Sequence, residues 1–111
     1  MQALKQQEND RPVDLVHLAR QTMGDRELER EVLSLFVNQS RQHLRRLREA
    51  KSQSECKMMA HTIKGSARGL GAWQVASAAE AIEGRIPSRS ELARLEGAMD
   101  EAAIYIGDLI N

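Results

Sequence analysis

The stretch that decides the fold is residues 56–70, CKMMAHTIKGSARGL, because its apolar side chains recur every three or four positions. At the 100° advance per residue of an α-helix, this spacing predicts a helix with one core-facing side. The apolar sector consists of Cys56, Met59, Ala60, Ile63, Ala67 and Leu70. A second sector, about 140° away on the same wheel, consists of Lys57, His61, Lys64 and Arg68, with Gly65 at its edge. We therefore expect His61 to be exposed to solvent, with cations one turn before and one turn after it.

Outward from this segment, the sequence predicts further helices joined by short polar connections. Asp25 precedes one apolar pattern, and Ser52 with Glu55 and Ser88 with Glu91 have the spacing of capping boxes. The predicted helices run from Asp10-Arg11-Pro12 to Gly24 and over about 26–50, 54–70, 72–84 and 88–109. Short connections favour antiparallel neighbours. The expected fold is all-α, an up-down antiparallel four-helix bundle with a short additional N-terminal helix.

Two of these helices carry long apolar patterns. In the helix at 26–50, helical spacing is kept by Leu28, Val32, Leu35, Phe36, Leu44 and Leu47. In the last helix, a seam with the spacing of a coiled coil is formed by Leu92, Leu95, Met99, Ala102, Ile106 and Leu109. Both patterns predict helices that pack through one apolar face.

Length and charge limit the classes of function. A chain of 111 residues forms one domain, here expected over residues 10–111 behind a flexible tail at 1–9. Sixteen Lys and Arg balance sixteen Asp and Glu, which argues against a nucleic-acid partner. The sequence has no apolar run of membrane-spanning length and no visible signal peptide. With a single cysteine, Cys56, no internal disulfide forms, which favours a cytoplasmic protein. Because the sequence begins at Met1, we expect a free-standing chain, and we expect it to be a monomer.

The exposed sector around His61 favours phosphoryl chemistry. A neutral imidazole is a good nucleophile, and an unperturbed ring is mostly neutral at pH 7. Lys64, one turn further on, is placed to meet the oxygens of a phosphoryl group carried by that ring. Gly65 costs about 1 kcal/mol relative to alanine inside a helix, so its presence needs a reason. Two reasons remain open: close approach of a partner's backbone, or tight packing between helices.

Residues 60–67, AHTIKGSA, followed by Gly71, resemble the signature of histidine-containing phosphotransfer (Hpt) domains. The resemblance implies that His61 is the phosphorylated histidine and that Lys64 is the lysine next to the phosphate. It also implies that Gly65 is the small residue at the docking surface and that Gly71 closes the hairpin to the next helix.

Two positions on the predicted fourth helix extend the comparison. Glu80 matches an acid that is often present in the family at this distance from His61. Relatives often carry a glutamine where this sequence has Glu83, and that glutamine hydrogen-bonds the imidazole. A carboxylate accepting from Nδ1–H would fix the tautomer and leave Nε2 as the nucleophile. Glu83 is therefore a candidate imidazole partner.

The resemblance implies a phosphoryl shuttle rather than an enzyme. A phosphoryl group arrives on His61 from an aspartate of one receiver domain, for example in a hybrid sensor histidine kinase, and passes to another response-regulator receiver. The domain has no ATP site of its own, and Mg²⁺ comes with the acidic pocket of the receiver. The candidate docking residues are Met58, Gly65, Arg68 and Gly69.

Other interpretations remain beside the shuttle. A helical module of the same fold could bind receiver domains without being phosphorylated. An enzyme using His61 as a general base would need a pocket and a second catalytic group, which a convex helix surface does not offer. His17 and His43 are interpreted as structural or surface residues. Cys56 and His61 are five positions apart, so the sequence predicts no metal site.

Overall fold

The computed structural model describes residues 11–110, and all regular structure within them is helical. The helices are α1 (Leu15–Thr22), α2 (Arg26–Glu49), α3 (Gln53–Leu70), α4 (Trp73–Ile82) and α5 (Arg89–Ile110). The all-α prediction is confirmed. The tail predicted for residues 1–9 lies outside the described residues.

The predicted capping residues begin the long helices. The carboxylate of Asp25 accepts an N–H of the first turn of α2 at 3.1 Å, and Ser52 Oγ accepts the N–H of Glu55 at 3.2 Å. At α5 the capping box is reciprocal: Ser88 Oγ accepts from the N–H of Glu91, and Glu91 Oε1 accepts from the N–H of Ser88 at 2.9 Å. These local bonds satisfy N–H groups that have no partner within the helix.

The predicted start of the first helix at Asp10–Pro12 is wrong, because α1 begins only at Leu15. Asp14 is the N-cap, and its carboxylate accepts from the N–H of His17 at 3.1 Å. Val13, directly before the cap, is completely buried. The chain therefore enters α1 through a bent, non-helical segment that is anchored in the core at Val13.

Helices α2 to α5 pack in a ring, in which each contacts two of the others. Helix α3 packs against α2 and α4, α5 packs against α4 and α2, and α1 lies against α2 and α3. On α3, the core face predicted from the sequence is buried at Cys56, Ala60, Ile63, Ala67 and Leu70. Helix α3 is therefore held on three sides, and its remaining face is free to carry the site.

Two apolar residues of α2 lie outside the core. The buried residues of α2 are Leu33, Phe36, Ser40, Leu44 and Leu47. Leu28 and Leu35, which the sequence pattern placed on the same apolar face, are 39% and 54% exposed. With Val32 they follow an i, i+4, i+7 spacing of their own, so α2 has a second apolar stripe beside the buried one.

The turn between α3 and α4 requires a glycine. Gly71 has φ +81°, and a Cβ at this position would lie 2.8 Å from the Cβ of Asp14. The N–H of Asp14 donates to the carbonyl oxygen of Gly71 at 2.9 Å, and Trp73 Nε1 donates to Asp14 Oδ2 at 3.0 Å. These bonds fasten the start of α1 to the end of the helix that carries His61.

Candidate functional site

His61 lies in the middle of α3 on the face opposite the core. Its side chain is 68% exposed, whereas its neighbours Ala60 and Ile63 are fully buried. The exposure follows from helical geometry, because the apolar residues of α3 fix the rotation of the helix and turn His61 outward. The ring is therefore open to a macromolecular partner.

The carboxylate of Glu83 binds the ring from the neighbouring helix. Glu83 Oε1 lies 2.9 Å from His61 Nδ1, and Oε2 accepts from Lys64 Nζ. Helix α4 ends at Ile82, so the predicted extension to residue 84 is wrong. Glu83 is the C-cap, with φ −65° and ψ 129°, and its side chain reaches His61 and Lys64 on α3.

Lys64 is less exposed than its position in the charged sector of the helical wheel suggested. Its side chain is only 14% exposed, and that of Glu83 is 20% exposed. The hydrogen bond from Lys64, followed by that from His61, lowers the pKa of Glu83 below its ordinary value. Glu83 is therefore ionised at neutral pH, and Lys64 is its ion-pair partner.

This hydrogen bond assigns the tautomer of the imidazole. An ionised carboxylate only accepts hydrogen bonds, so the neutral ring carries its proton on Nδ1. Nε2 then holds the lone pair and is the nitrogen able to attack an electrophile. The arrangement combines an exposed nucleophile with a fixed ring orientation.

Two glycines, one and two turns beyond His61, leave the exposed side of α3 without side chains at these positions. Gly65 and Gly69 are exposed on α3, and a Cβ at either position would meet no atom within 4 Å outside its own helix and neighbours. The interpretation that Gly65 permits tight packing between helices is therefore wrong. A missing side chain at these positions matters only to something that approaches from outside the chain.

An apolar groove of about 340 Å³ adjoins these glycines between α1, α2 and α3. Its walls include Leu28, Val32, Leu35, Gly65 and Gly69. The apolar pattern of the sequence placed Leu28 and Leu35 on the packing face of α2 and did not indicate that they lie at the surface. Their spacing with Val32 shows a second apolar stripe beside the buried one, but both stripes have the helical period, so spacing alone does not tell which of the two is at the surface.

The remaining docking candidates also lie on the surface of α3. Met58 is 59% exposed, one turn before His61. Arg68 is exposed and its guanidinium lies 3.4 Å from a carboxylate oxygen of Glu80 on α4. The structure thus places the docking candidates on the same helix as His61: Met58, Gly65, Arg68 and Gly69.

Within residues 11–110, no group of three or more His, Cys, Asp or Glu side chains is arranged to hold a metal ion. No helix of this part of the chain is long and apolar enough to cross a membrane.

The sequence matches a known protein family. A family model described as the Hpt domain matches residues 31–108, well over half of the chain. No curated protein and no solved structure matches the chain significantly. The matched range contains α3 and α4 entirely, and with them the exposed histidine, its carboxylate partner and the two glycines.

Proposed function

This chain belongs to the Hpt domain family, and from that membership and the geometry of the site we propose that His61 is a phosphoryl acceptor and donor. Hpt domains act in phosphorelays by histidine phosphotransfer and are carriers rather than kinases. In the proposal, His61 takes a phosphoryl group from the aspartate of one receiver domain, such as that of a hybrid sensor histidine kinase. It then passes the group to another response-regulator receiver.

The observation that carries the proposal is the contact of 2.9 Å between His61 Nδ1 and Glu83 Oε1 on a ring that is 68% exposed. Holding Nδ1–H leaves the Nε2 lone pair available for phosphorus. Nε2 forms the new P–N bond while the P–O bond to the receiver's aspartate breaks, and the carboxylate leaves with the electron pair. In the reverse direction a receiver carboxylate attacks phosphorus, and the P–N electrons return to Nε2.

The other groups in the proposed reaction come from both partners. Mg²⁺ in the receiver's acidic pocket neutralises charge on the transferring group, so this chain needs no metal or cofactor of its own. Lys64 supplies positive charge on the His61 side, one helical turn away. The rigid platform is helical, and we propose the up-down antiparallel arrangement of α2–α5 for it, in a cytoplasmic monomer.

The receiver is proposed to dock over α3 and the adjoining groove. Gly65 and Gly69 allow its backbone to approach α3 closely, while Leu28 and Leu35 offer apolar area that the chain itself leaves uncovered. Exposed apolar residues rimmed by polar ones are typical of interaction sites. Met58 and Arg68 would extend the same surface along α3.

The experiment is transfer from a phosphorylated receiver domain in the presence of Mg²⁺. Phosphate that is labile in acid and stable in base is expected on the wild-type protein and on His43→Gln, a control at a half-buried histidine of α2. No such phosphate is expected on His61→Gln. Label that persists on His61→Gln would contradict the assignment of the acceptor.

The second candidate function is a docking module that binds receivers without being phosphorylated. The apolar groove beside Gly65 favours binding whether or not transfer occurs. Binding of several phosphorylated receivers with no label on the wild-type protein would establish this alternative in place of the carrier.

A further inference from the structure

Helix α1 forms one wall of the apolar groove beside the site helix. The groove has a volume of about 340 Å³, and α1 contributes Leu18, Gln21 and Thr22 to its lining. Gly65 and Gly69 line it on the α3 side. The shape of the groove at these glycines therefore depends on where α1 lies relative to α3.

Burial holds α1 on the bundle without fixing its direction. Val13, just before the helix, is completely buried, and of the eight residues of α1 only Leu18 and Thr22 are buried. The hydrophobic effect is not directional, so these few side chains keep α1 in contact with the bundle over a range of angles. The direction of α1 must come from hydrogen bonds.

Asp14 makes such directional contacts with two distant parts of the chain. Its N–H donates to the carbonyl oxygen of Gly71 at 2.9 Å, and its Oδ2 accepts from Trp73 Nε1 at 3.0 Å. We call these two bonds the Asp14 tether. Its other carboxylate oxygen, Oδ1, accepts from the N–H of His17 at 3.1 Å and caps α1. One residue thus joins the first turn of α1 to the end of α3 and to the start of α4.

The bond between Asp14 and Trp73 is the stronger part of the tether. Burial acts to raise the pKa of Asp14, but the hydrogen bonds from Trp73 and His17 outweigh it, and this pKa lies below its ordinary value. The carboxylate is therefore ionised at neutral pH, and hydrogen bonds to ionised groups are stronger than those between neutral groups. The rings of His17 and Trp73 also pack edge to face, with 5.0 Å between their centroids.

We propose that Asp14 is a positioning residue for receiver docking, because its tether fixes α1 as the wall of the groove beside Gly65 and Gly69. The tether is close to the groove on both sides. On α1, Leu18 follows Asp14 by one turn, and on α3, Gly69 precedes Gly71 by two residues. The inference rests on the proposed function, since the docked partner is the receiver domain. It assigns a role in docking to a residue that does not itself line the groove.

The first test compares Asp14→Asn with Asp25→Asn. An amide has one acceptor oxygen where a carboxylate has two, so Asp14→Asn keeps the bond to the first turn of α1 or the bond to Trp73, but not both. In either case this side chain no longer links α1 to α4. Asp25 is the matched control, because it caps α2 by accepting from the N–H of Leu28 at 3.1 Å and asparagine caps a helix about as well.

The measurement is the rate of phosphoryl transfer from a phosphorylated receiver with Mg²⁺, at increasing receiver concentration. Asp14→Asn should raise the half-saturating receiver concentration about fivefold, the effect of losing one hydrogen bond. The rate at saturation should stay unchanged, because the substitution alters docking and not His61. Asp25→Asn should match the wild type in both quantities. An unchanged half-saturating concentration in Asp14→Asn, or a lower rate at saturation, would overturn the inference.

Trp73 gives a readout that needs no receiver. It is the only tryptophan in the sequence, so its indole N–H gives one signal in ¹H–¹⁵N spectra. In Asp14→Asn this N–H and the amides of α1 should exchange with water at least about tenfold faster than in the wild type, while the amides of α3 keep their protection. Exchange in Asp25→Asn should follow the wild type. Unchanged exchange of the α1 amides in Asp14→Asn would mean that the tether does not hold α1.

A substitution on the other side of the bond keeps the inference testable if Asp14→Asn folds poorly. Trp73→Phe removes the donor and keeps an aromatic ring against His17. It should raise the half-saturating receiver concentration as Asp14→Asn does, and the double variant should be little worse than either single one. Melting curves report whether each variant is folded. Fully additive effects would mean that the two residues act independently, which would overturn the inference.

These outcomes differ from a failure of the proposed function. Absence of phosphate on the wild-type protein after incubation with phosphorylated receivers would remove the carrier function, and the inference with it. Normal transfer with the same half-saturating concentration in wild type, Asp14→Asn and Trp73→Phe would leave the carrier function intact and overturn only the role of Asp14.

Discussion

The two faces of α3 are built on opposite principles. On the core face, Ala60, Ile63 and Ala67 have no exposed surface at all. On the other face, His61 is oriented by one carboxylate from α4, and Gly65 presents no side chain. Burial stabilises the first face, and the second contributes little to packing. Stability and function therefore depend on separate residues of the same helix, and substitutions on the two faces should have separable effects.

The largest effect on stability is expected from the core face. Ile63→Ala removes buried methyl groups from a fully enclosed position, and such changes cost about 2–5 kcal/mol of unfolding free energy. Urea denaturation would measure the loss. The fraction that stays folded should still accept phosphate at His61. Full stability combined with loss of labelling would contradict the division between the faces.

The second largest loss of stability is expected from a substitution in the turn that ends α3. Gly71→Ala places a Cβ 2.8 Å from the Cβ of Asp14 at φ +81°, so we expect a loss of about 2 kcal/mol, from left-handed backbone strain together with this contact. Gly69→Ala, two residues earlier, is the matched control, because its Cβ would meet nothing within 4 Å. Thermal melting of both variants would show whether the clash, rather than the loss of any glycine, is responsible.

On the site face, replacing a glycine should stabilise the fold and weaken binding. Gly65→Ala enters open space in a helix interior and should raise the unfolding free energy by about 0.5–1 kcal/mol. The added methyl group should at the same time weaken binding of a receiver domain, measured by titration calorimetry. A destabilised Gly65→Ala protein would mean that the glycine has a structural role.

The smallest effect on stability is expected at acid pH, from an ion pair between the end of α4 and the start of α5. Arg85 beside Glu91 lowers the pKa of that carboxyl from 4.5 to about 2. A depressed carboxyl pKa adds stability that is complete above the unfolded value and is lost as pH falls through the folded one. Unfolding free energy should therefore decline between about pH 4.5 and 2, and Glu91→Gln should decline less steeply.

Glu83→Gln provides the comparison on the site face, since the pKa of Glu83 is lowered as well. Both variants should flatten the acid part of the pH–stability curve measured by denaturant titration at successive pH values. An acid limb identical to that of the wild type in both variants would contradict the assigned pKa directions.

Sequence patterns predict those helix faces and helix caps that depend only on residues close together in the sequence. The core face of α3, the N-cap at Ser52 and the capping box at Ser88 follow from spacing alone, and the structure contains them. The second half of the predicted box at Ser52 is absent, because the Glu55 carboxylate accepts from the N–H of Lys51 instead. The start of α1 does not follow, because Asp10 and Asp14 are both suitable caps. The choice of Asp14 depends on its bonds to Gly71 and Trp73, which are distant in sequence.

The site could be predicted in part for the same reason. The exposure of His61 follows from the rotation of one helix. The low exposure of Lys64 could not be predicted from that rotation, because its side chain pairs with Glu83, nineteen residues away in the sequence. Helical periodicity likewise detects Leu28 and Leu35 as apolar residues on regular spacing. It does not show that they are exposed, because an apolar stripe at the surface has the same period as one in the core.

NMR of the phosphorylated protein would show directly whether His61 is the phosphoryl acceptor and which of its nitrogens carries phosphorus. After transfer from a phosphorylated receiver, ³¹P and ¹⁵N spectra of the labelled protein identify both the residue and the ring nitrogen that carry phosphorus. The hydrogen bond between His61 Nδ1 and Glu83 predicts phosphorus on Nε2 of His61 alone. Phosphorus on Nδ1, on another residue, or on no residue of the chain would contradict it.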